Sequence, residues 1–185
     1  MENRLPKRKH PRLKDYDYRT AGAYFVTICT HERSCRLSRS VGRGLAPAAT
    51  TDYTQSNSDD DSAYARSELT EYGKIAEKQL FMLEERYPYM KVDQYVIMPN
   101  HIHAIIIIEG DIKTCHDRSP LTDIICAYKS LTVRECKRES GFVEKLFQDS
   151  FYEHVIRNRY DYDEIRKYIY ENPARWHFDK LFSET

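Results

Sequence analysis

Apolar runs broken by glycine, proline and polar stretches set out seven elements along the chain. Residues 23–29, Ala-Tyr-Phe-Val-Thr-Ile-Cys, are β-branched and aromatic, follow Gly22 and predict a strand. Thr70 then reads as the cap of a helix on which Ile75, Gln79, Leu80, Leu83 and Tyr87 keep helical spacing, with Pro88 at its end. Residues 92–98 and 101–109 read as two strands joined at Pro99-Asn100, a two-residue turn that fits an antiparallel hairpin. Ser119-Pro120 opens a second helix with the stripe Leu121, Ile124, Ile125, Tyr128, Leu131 and Val133, and Gly141 follows its end. Residues 146–156 are mainly extended and carry Phe147, Phe151 and Tyr152. A last helix over 161–171, capped by Asp161 or Asp163, places Ile165, Tyr168 and Ile169 at i, i+3 and i+4. Asn172-Pro173 closes or kinks it.

The first six elements make the βαββαβ order of a ferredoxin-like antiparallel sheet, an α+β fold with helices on one face. The seventh is an extra C-terminal helix. Two segments stand apart. Residues 38–67 are rich in Ser, Thr, Ala, Asp, Gly and Pro and include Asp59, Asp60 and Asp61. They read as a long disordered insertion, too poor in large apolar side chains to offset the entropy of ordering. Residues 1–19 form a basic arm, with Arg4, Lys7, Arg8, Lys9, Arg12 and Lys14 against Glu2 as the only acid before Asp15. The expected organisation is this arm followed by one domain over 20–185.

Composition narrows the class. With 185 residues, 41% hydrophobic and 31% charged, the chain can bury a core as one domain. Its longest apolar stretch, 104–108, suits a buried strand and not a membrane span, and the polar, basic start shows no secretory signal. A cytoplasmic protein is expected. Five cysteines without a CxxC pair argue against a disulfide framework or a cysteine zinc site. The formal net charge of zero argues against binding nucleic acid by overall charge, but leaves local basic patches available.

Two local patterns carry candidate chemistry. His101 and His103 lie at i and i+2 of a strand, so both imidazoles leave the same side of the sheet while Ile102 leaves the other. They are half of a metal site, or else two edge histidines without a role. Tyr168 and Asn172 are one helical turn apart on one face. A phenol is a capable nucleophile when its ionised form is favoured, and an amide oxygen can complete a metal's coordination sphere. Equally, Tyr168 can pack in the core while Asn172 merely ends the helix.

His101-Ile102-His103 after Met98-Pro99-Asn100 resembles the HUH motif of histidine, hydrophobic residue, histidine. The tail His154-Val155-Ile156-Arg157-Asn158, then Asp161-Tyr162, Tyr168-Ile169, Asn172-Pro173 and Trp176, resembles the REP-associated tyrosine transposases of the single-tyrosine superfamily. Residues 22–27 resemble that family's first strand, so the likeness covers most of the chain outside the arm and the insertion.

The resemblance implies a nuclease that cuts and rejoins single-stranded DNA beside a hairpin through a 5′-phosphotyrosine, leaving a free 3′-hydroxyl. It implies a divalent metal, Mg2+ or Mn2+, held by His101 and His103, and Tyr168 as nucleophile. Tyr162, in the Asp-Tyr pattern, is its chief rival; the amide one turn beyond Tyr168 favours Tyr168. Asn172 stands where mobile relatives usually carry glutamine and would be the third ligand. Arg8, Lys9, Arg12, Lys129, Arg134, Arg157 and Arg159 are candidates for phosphate contact. A nucleoid-associated protein is expected, and whether a homodimer shares tyrosines between subunits is left open. The competing readings are a catalytically retired, structure-specific hairpin binder and an unrelated metal-dependent hydrolase.

Overall fold

Side chains that alternate along Gly22–Cys29 sort the molecule into two faces. Tyr24, Val26 and Ile28 are fully buried in the main core, while Phe25 and Thr27 look the other way, toward the histidines. The computed structural model describes residues 21–41, 66–110, 120–141 and 145–183. Its elements are β1 (Gly22–Cys29), β2 (Ser38–Val41), β3 (Arg66–Leu69), α1 (Glu71–Arg86), β4 (Met90–Ile97), β5 (His101–Ile108), α2 (Pro120–Ser140), β6 (Tyr152–Ile156) and α3 (Arg159–Glu171). A 3₁₀ turn over Pro173–Phe178 follows α3.

The main sheet has the order β4-β5-β1-β6, and every neighbouring pair is antiparallel. With α1 before β4 and α2 before β6, this is the ferredoxin-like arrangement expected from the βαββαβ order. β1 lies between β5 and β6, with Tyr24, Val26 and Ile28 buried on one face and Phe25 half-buried on the other. Cys29 faces His101 and Thr27 faces His103 across the β1–β5 ladder.

α1 and α2 pack together and close the core face. Ala76, Leu80 and Leu83 of α1 and Leu121, Ile124, Ile125 and Tyr128 of α2 meet Ile102, Ala104, Ile106 and Ile108. Each buried aliphatic side chain of this size contributes roughly 1.5–3 kcal/mol. The buried stripe of α2 continues at Thr132 and Cys136, in place of the expected Leu131 and Val133, which are half-buried. Spacing at i+4 carries the stripe there, and Thr132 satisfies its hydroxyl on the Tyr128 carbonyl at 2.8 Å. The Tyr128 hydroxyl donates to the Ala76 carbonyl at 3.1 Å and ties the helices together.

Thr70 caps α1 as expected, its hydroxyl accepting from Gly73 N at 3.1 Å. Gly73 sits against the Leu37 backbone so closely that a methyl there would overlap the carbonyl oxygen.

Several boundaries differ from the sequence reading. The β4–β5 hairpin turns over 98–100, with Met98 N donating to His101 O, and β4 begins two residues earlier than expected. A β-bulge between Val92 and Gln94 shifts that ladder. Asn158 caps α3, its side chain accepting from Asp161 N at 2.9 Å. Asp161, expected as a cap, instead accepts from His154 at 2.8 Å. The extended segment before β6 is an isolated bridge from Thr30 to Phe147 and then the short strand itself. The edges of the stretch 38–67 are paired, since β2 and β3 form an antiparallel ribbon. Residues 42–65, the bulk of the expected insertion, and the basic arm with Arg8, Lys9 and Arg12 lie outside the described residues.

Candidate metal centre

His101 and His103 leave the sheet face opposite α1 and α2, as the strand alternation required. Both are buried, and their ring centroids are 4.4 Å apart. α3 and the segment after it cover this face, with Ile169, Asn172 and Trp176 buried and the Trp176 ring 5.9 Å from that of His101.

The two imidazoles are oriented by neighbours on their outer nitrogens. His101 Nδ1 lies 2.8 Å from the Asn100 side-chain oxygen, and Asn100 Nδ2 donates to Leu181 O at 2.7 Å. A carbonyl oxygen only accepts, so the His101 proton is on Nδ1 and Nε2 carries a free lone pair. That Nε2 is buried without a hydrogen-bond partner. His103 Nδ1 lies 2.9 Å from Thr27 Oγ1, its neighbour in the β1–β5 register. Its Nε2 lies 3.2 Å from the Tyr168 hydroxyl.

Tyr168 approaches from α3, and its ring packs edge-on against Phe25 at 6.1 Å. Its hydroxyl also donates to Asp179 Oδ2 at 3.2 Å. The same oxygen accepts from Asn172 Nδ2 at 2.9 Å, while Asp179 Oδ1 accepts from Leu181 N at 2.6 Å. Asn172 Oδ1 is left buried without a partner. One ligand atom from each of His101, His103 and Asp179 falls within 4.8 Å of the others.

Burial sets the protonation of the group. It pushes His101 down to about 4, opposed by the Asp179 charge and helped by Arg33. Burial and then His101 hold His103 well below the ordinary value. Both rings are therefore neutral near pH 7, the form that ligates metals. Burial, the Asp179 charge and its hydrogen bond push the Tyr168 phenol up to about 12, against an opposing contact with Asn172.

The residues fit a divalent cation. A buried imidazole nitrogen, on His101, and a buried amide oxygen, on Asn172, are left unpaired, which is costly unless something accepts their lone pairs. Two neutral nitrogens with amide and carboxylate oxygens form a mixed donor set of the kind a divalent cation accepts.

The structure thus brings together His101, His103, Tyr168 and Asn172, which the sequence singled out. It adds Asp179, Asn100 and Thr27, which it did not. Tyr162 is engaged elsewhere. Its hydroxyl donates to Asp93 Oδ2 at 2.7 Å, and its ring lies under Arg159 and Arg166 at 5.4 and 5.6 Å.

The expected phosphate contacts are dispersed. Lys129 donates to the carbonyls of Gln148, Asp149 and Ser150. It shares a groove of about 720 Å³ with Arg134, Lys137 and Lys145. Arg157 is exposed beside the α3 cap, and Arg159 pairs with Asp163 at 2.9 Å. Among the described residues, no helix is long and apolar enough to cross a membrane.

No family model matches the chain. An uncharacterized protein of Haemophilus influenzae is 26% identical over 190 residues, spanning 95% of this chain and 93% of the relative. A solved structure of the REP-associated tyrosine transposase bound to a REP hairpin aligns with a TM-score of 0.58 at 18% identity. It covers 91% of this chain and 77% of that one. At that identity the likeness is one of architecture, and the chain has the fold of the REP-associated tyrosine transposase.

Proposed function

We propose that the chain is a transposase-like, metal-dependent single-strand DNA endonuclease and strand transferase that acts at hairpin-forming sequences through a 5′-phosphotyrosine. The observation that carries this reading is the meeting of a tyrosine hydroxyl with two neutral imidazoles on one face of this fold. The transposase that shares the fold was solved bound to a REP hairpin, which supports hairpin DNA as the substrate class here.

In this reading His101 Nε2, His103 Nε2 and an oxygen of Asn172 or Asp179 would hold Mg2+ or Mn2+. When bound, the cation supplies positive charge that favours the phenolate and stabilises the charge developing on the phosphate. The chain's own groups do the rest. Asn100 and Thr27 fix the two rings. α3 delivers the Tyr168 oxygen, and Asp179 Oδ2, already its acceptor, is placed to take its proton. The oxygen attacks the scissile phosphorus and the bond to the 3′-oxygen breaks. That oxygen leaves as a 3′-hydroxyl after gaining a proton, and the 5′-phosphate remains on Tyr168. Rejoining is the reverse step, in which a 3′-hydroxyl displaces the tyrosine, so no nucleotide cofactor is consumed. Tyr168 meets a histidine of its own chain, which supports a site complete in one subunit. Such work belongs in the cytoplasm, on nucleoid DNA.

The test uses labelled hairpins with single-stranded flanks, incubated with Mn2+ and run under denaturing conditions. The unaltered protein is expected to form a covalent protein–DNA adduct that EDTA prevents. Tyr168→Phe should lose the adduct and keep DNA binding. An adduct that survives in Tyr168→Phe but disappears in Tyr162→Phe would move the nucleophile. Hairpin binding with no adduct from the unaltered protein would support the retired binder instead.

A further inference from the structure

We infer that the Phe178 ring is a stacking platform for an unpaired base of the strand whose phosphate lies at Tyr168. The inference rests on the nuclease reading above and adds a base-binding subsite to it.

Phe178 is 90% exposed. Burying a side chain of this size would stabilise the fold, and a lone exposed aromatic is by itself unremarkable. Its place is what distinguishes it. Of the large exposed hydrophobic residues among those described, only Tyr168 and Phe178 line the same cleft, of about 380 Å³. Phe178 therefore borders the same cleft as Tyr168, Asn172 and Asp179 of the candidate site.

The backbone under that ring is held firmly. Trp176, two residues before it, is buried between His101 and Phe182, with ring centroids at 5.9 and 5.2 Å. Asp179, the next residue, donates its N–H to Trp176 O at 3.0 Å and receives three hydrogen bonds on its carboxylate. A large apolar face on a fixed turn loses little freedom when a base lies on it.

The cleft is lined by two cations, Lys167 and Arg175, and three acids, Glu164, Glu171 and Asp179. Lys167 and Arg175 both face Glu171, at 4.0 and 3.2 Å, which leaves that carboxylate neutralised. Asp179 belongs to the candidate metal group. Glu164, exposed at the wall, is the remaining acid. What the cleft offers a nucleotide is the apolar face of Phe178 for a base, while its two cations are engaged by Glu171. Stacking on an aromatic ring tolerates every base, so this subsite would position the strand and would not read its sequence.

The test measures the affinity of the full chain for a short oligothymidine, and for the same strand built of abasic sugars, by fluorescence anisotropy. The variants are Phe178→Ala, Phe178→Leu and Phe178→Tyr, at a position too exposed to disturb folding. Phe178→Ala and Phe178→Leu are expected to weaken oligothymidine binding roughly 5- to 150-fold, and Phe178→Tyr to restore it. On the abasic strand all four proteins should bind alike. Normal binding by Phe178→Leu, equal weakening on the abasic strand, or no oligothymidine binding by the unaltered chain would overturn the inference. Adduct formation on hairpin DNA by the unaltered chain reports on the nuclease reading separately. An adduct with a flat Phe178 series sinks the base subsite alone. No adduct with the contrasts intact sinks the nuclease reading and leaves the subsite standing.

Discussion

The hydroxyl of Tyr168 lies 3.2 Å from Nε2 of His103, although 65 residues separate the two in the chain. A second approach at 3.2 Å, to Asp179, makes that hydroxyl the junction between the sheet and the C-terminal segment. The phenol thus touches two of the three residues of the candidate metal group.

Asn172 and Asp179 offer different oxygens to such an ion, and their variants should separate. Asn172→Ala removes a buried oxygen that lacks any partner. Asp179→Asn keeps an oxygen in place but removes its charge. Even supporting partners of metal ligands are worth about 10- to 100-fold in affinity, so Asn172→Ala should weaken Mn2+ binding at least roughly tenfold if its oxygen is a ligand. Titration followed by Mn2+ electron paramagnetic resonance measures this. Unchanged affinity in Asn172→Ala together with a large loss in Asp179→Asn would transfer the third position to the carboxylate.

Asn100 orients His101 and is itself held by Leu181 O. Asn100→Ala leaves the Nδ1 proton without an acceptor and the ring free to turn. Mn2+ affinity should fall about 10- to 100-fold, with adduct formation falling in step at limiting metal. Asn100→Asp keeps the acceptor oxygen and should stay nearer the unaltered chain. Equal losses in both variants would mean that the bond to Leu181, and not the one to His101, is the one that matters.

The elements of this site differ in how far the sequence disclosed them. His101 and His103 were legible because strand alternation is a local rule that holds whatever the sheet order. Helix periodicity put Tyr168 and Asn172 on one face, but left core packing equally open; the family resemblance is what singled them out. The sheet order followed from the succession of strands and helices. Thr27 was not legible, because its role depends on the register that sets it opposite His103, and register is a property of two strands. Asp179 lies beyond Pro173, where no periodic pattern ties a residue to α3. Only the 3₁₀ turn carries it back to Tyr168. Lys129 reads as a free cation on a helix, yet its partners are backbone carbonyls that carry no residue code.

Gly73 inverts a familiar preference. In an open helix, glycine to alanine is worth about 1 kcal/mol of added stability. Here the added methyl would meet the Leu37 carbonyl, which also accepts hydrogen bonds from the Thr70 backbone and hydroxyl, at 3.0 Å each. Gly73→Ala should therefore lower stability by roughly 1–3 kcal/mol, read from the urea midpoint. Leu37 N donates to Pro99 O at 2.9 Å, just before the histidine strand, so weaker Mn2+ binding should accompany the loss. A more stable variant would mean that the helix start yields without disturbing Leu37.

Lys129 and Arg134 line the same groove, but their expected behaviour is opposite. Burial holds the Lys129 ammonium below its ordinary value, and its three hydrogen bonds run to carbonyls of the segment that leads into β6. Lys129→Met keeps the stem and removes the donors, leaving those carbonyls to find water. The loss should be roughly 1–3 kcal/mol, or about 2–12 °C in Tm. Exposed Arg134 anchors nothing comparable, so Arg134→Met should leave Tm unchanged. DNA binding should divide the pair the other way. A side chain that neutralises a phosphate contributes about one to the slope of log affinity against log salt. Arg134→Met is expected to lower that slope, and Lys129→Met to leave it alone. If Lys129→Met lowers the slope while Tm holds, the lysine serves DNA and its carbonyl bonds are incidental.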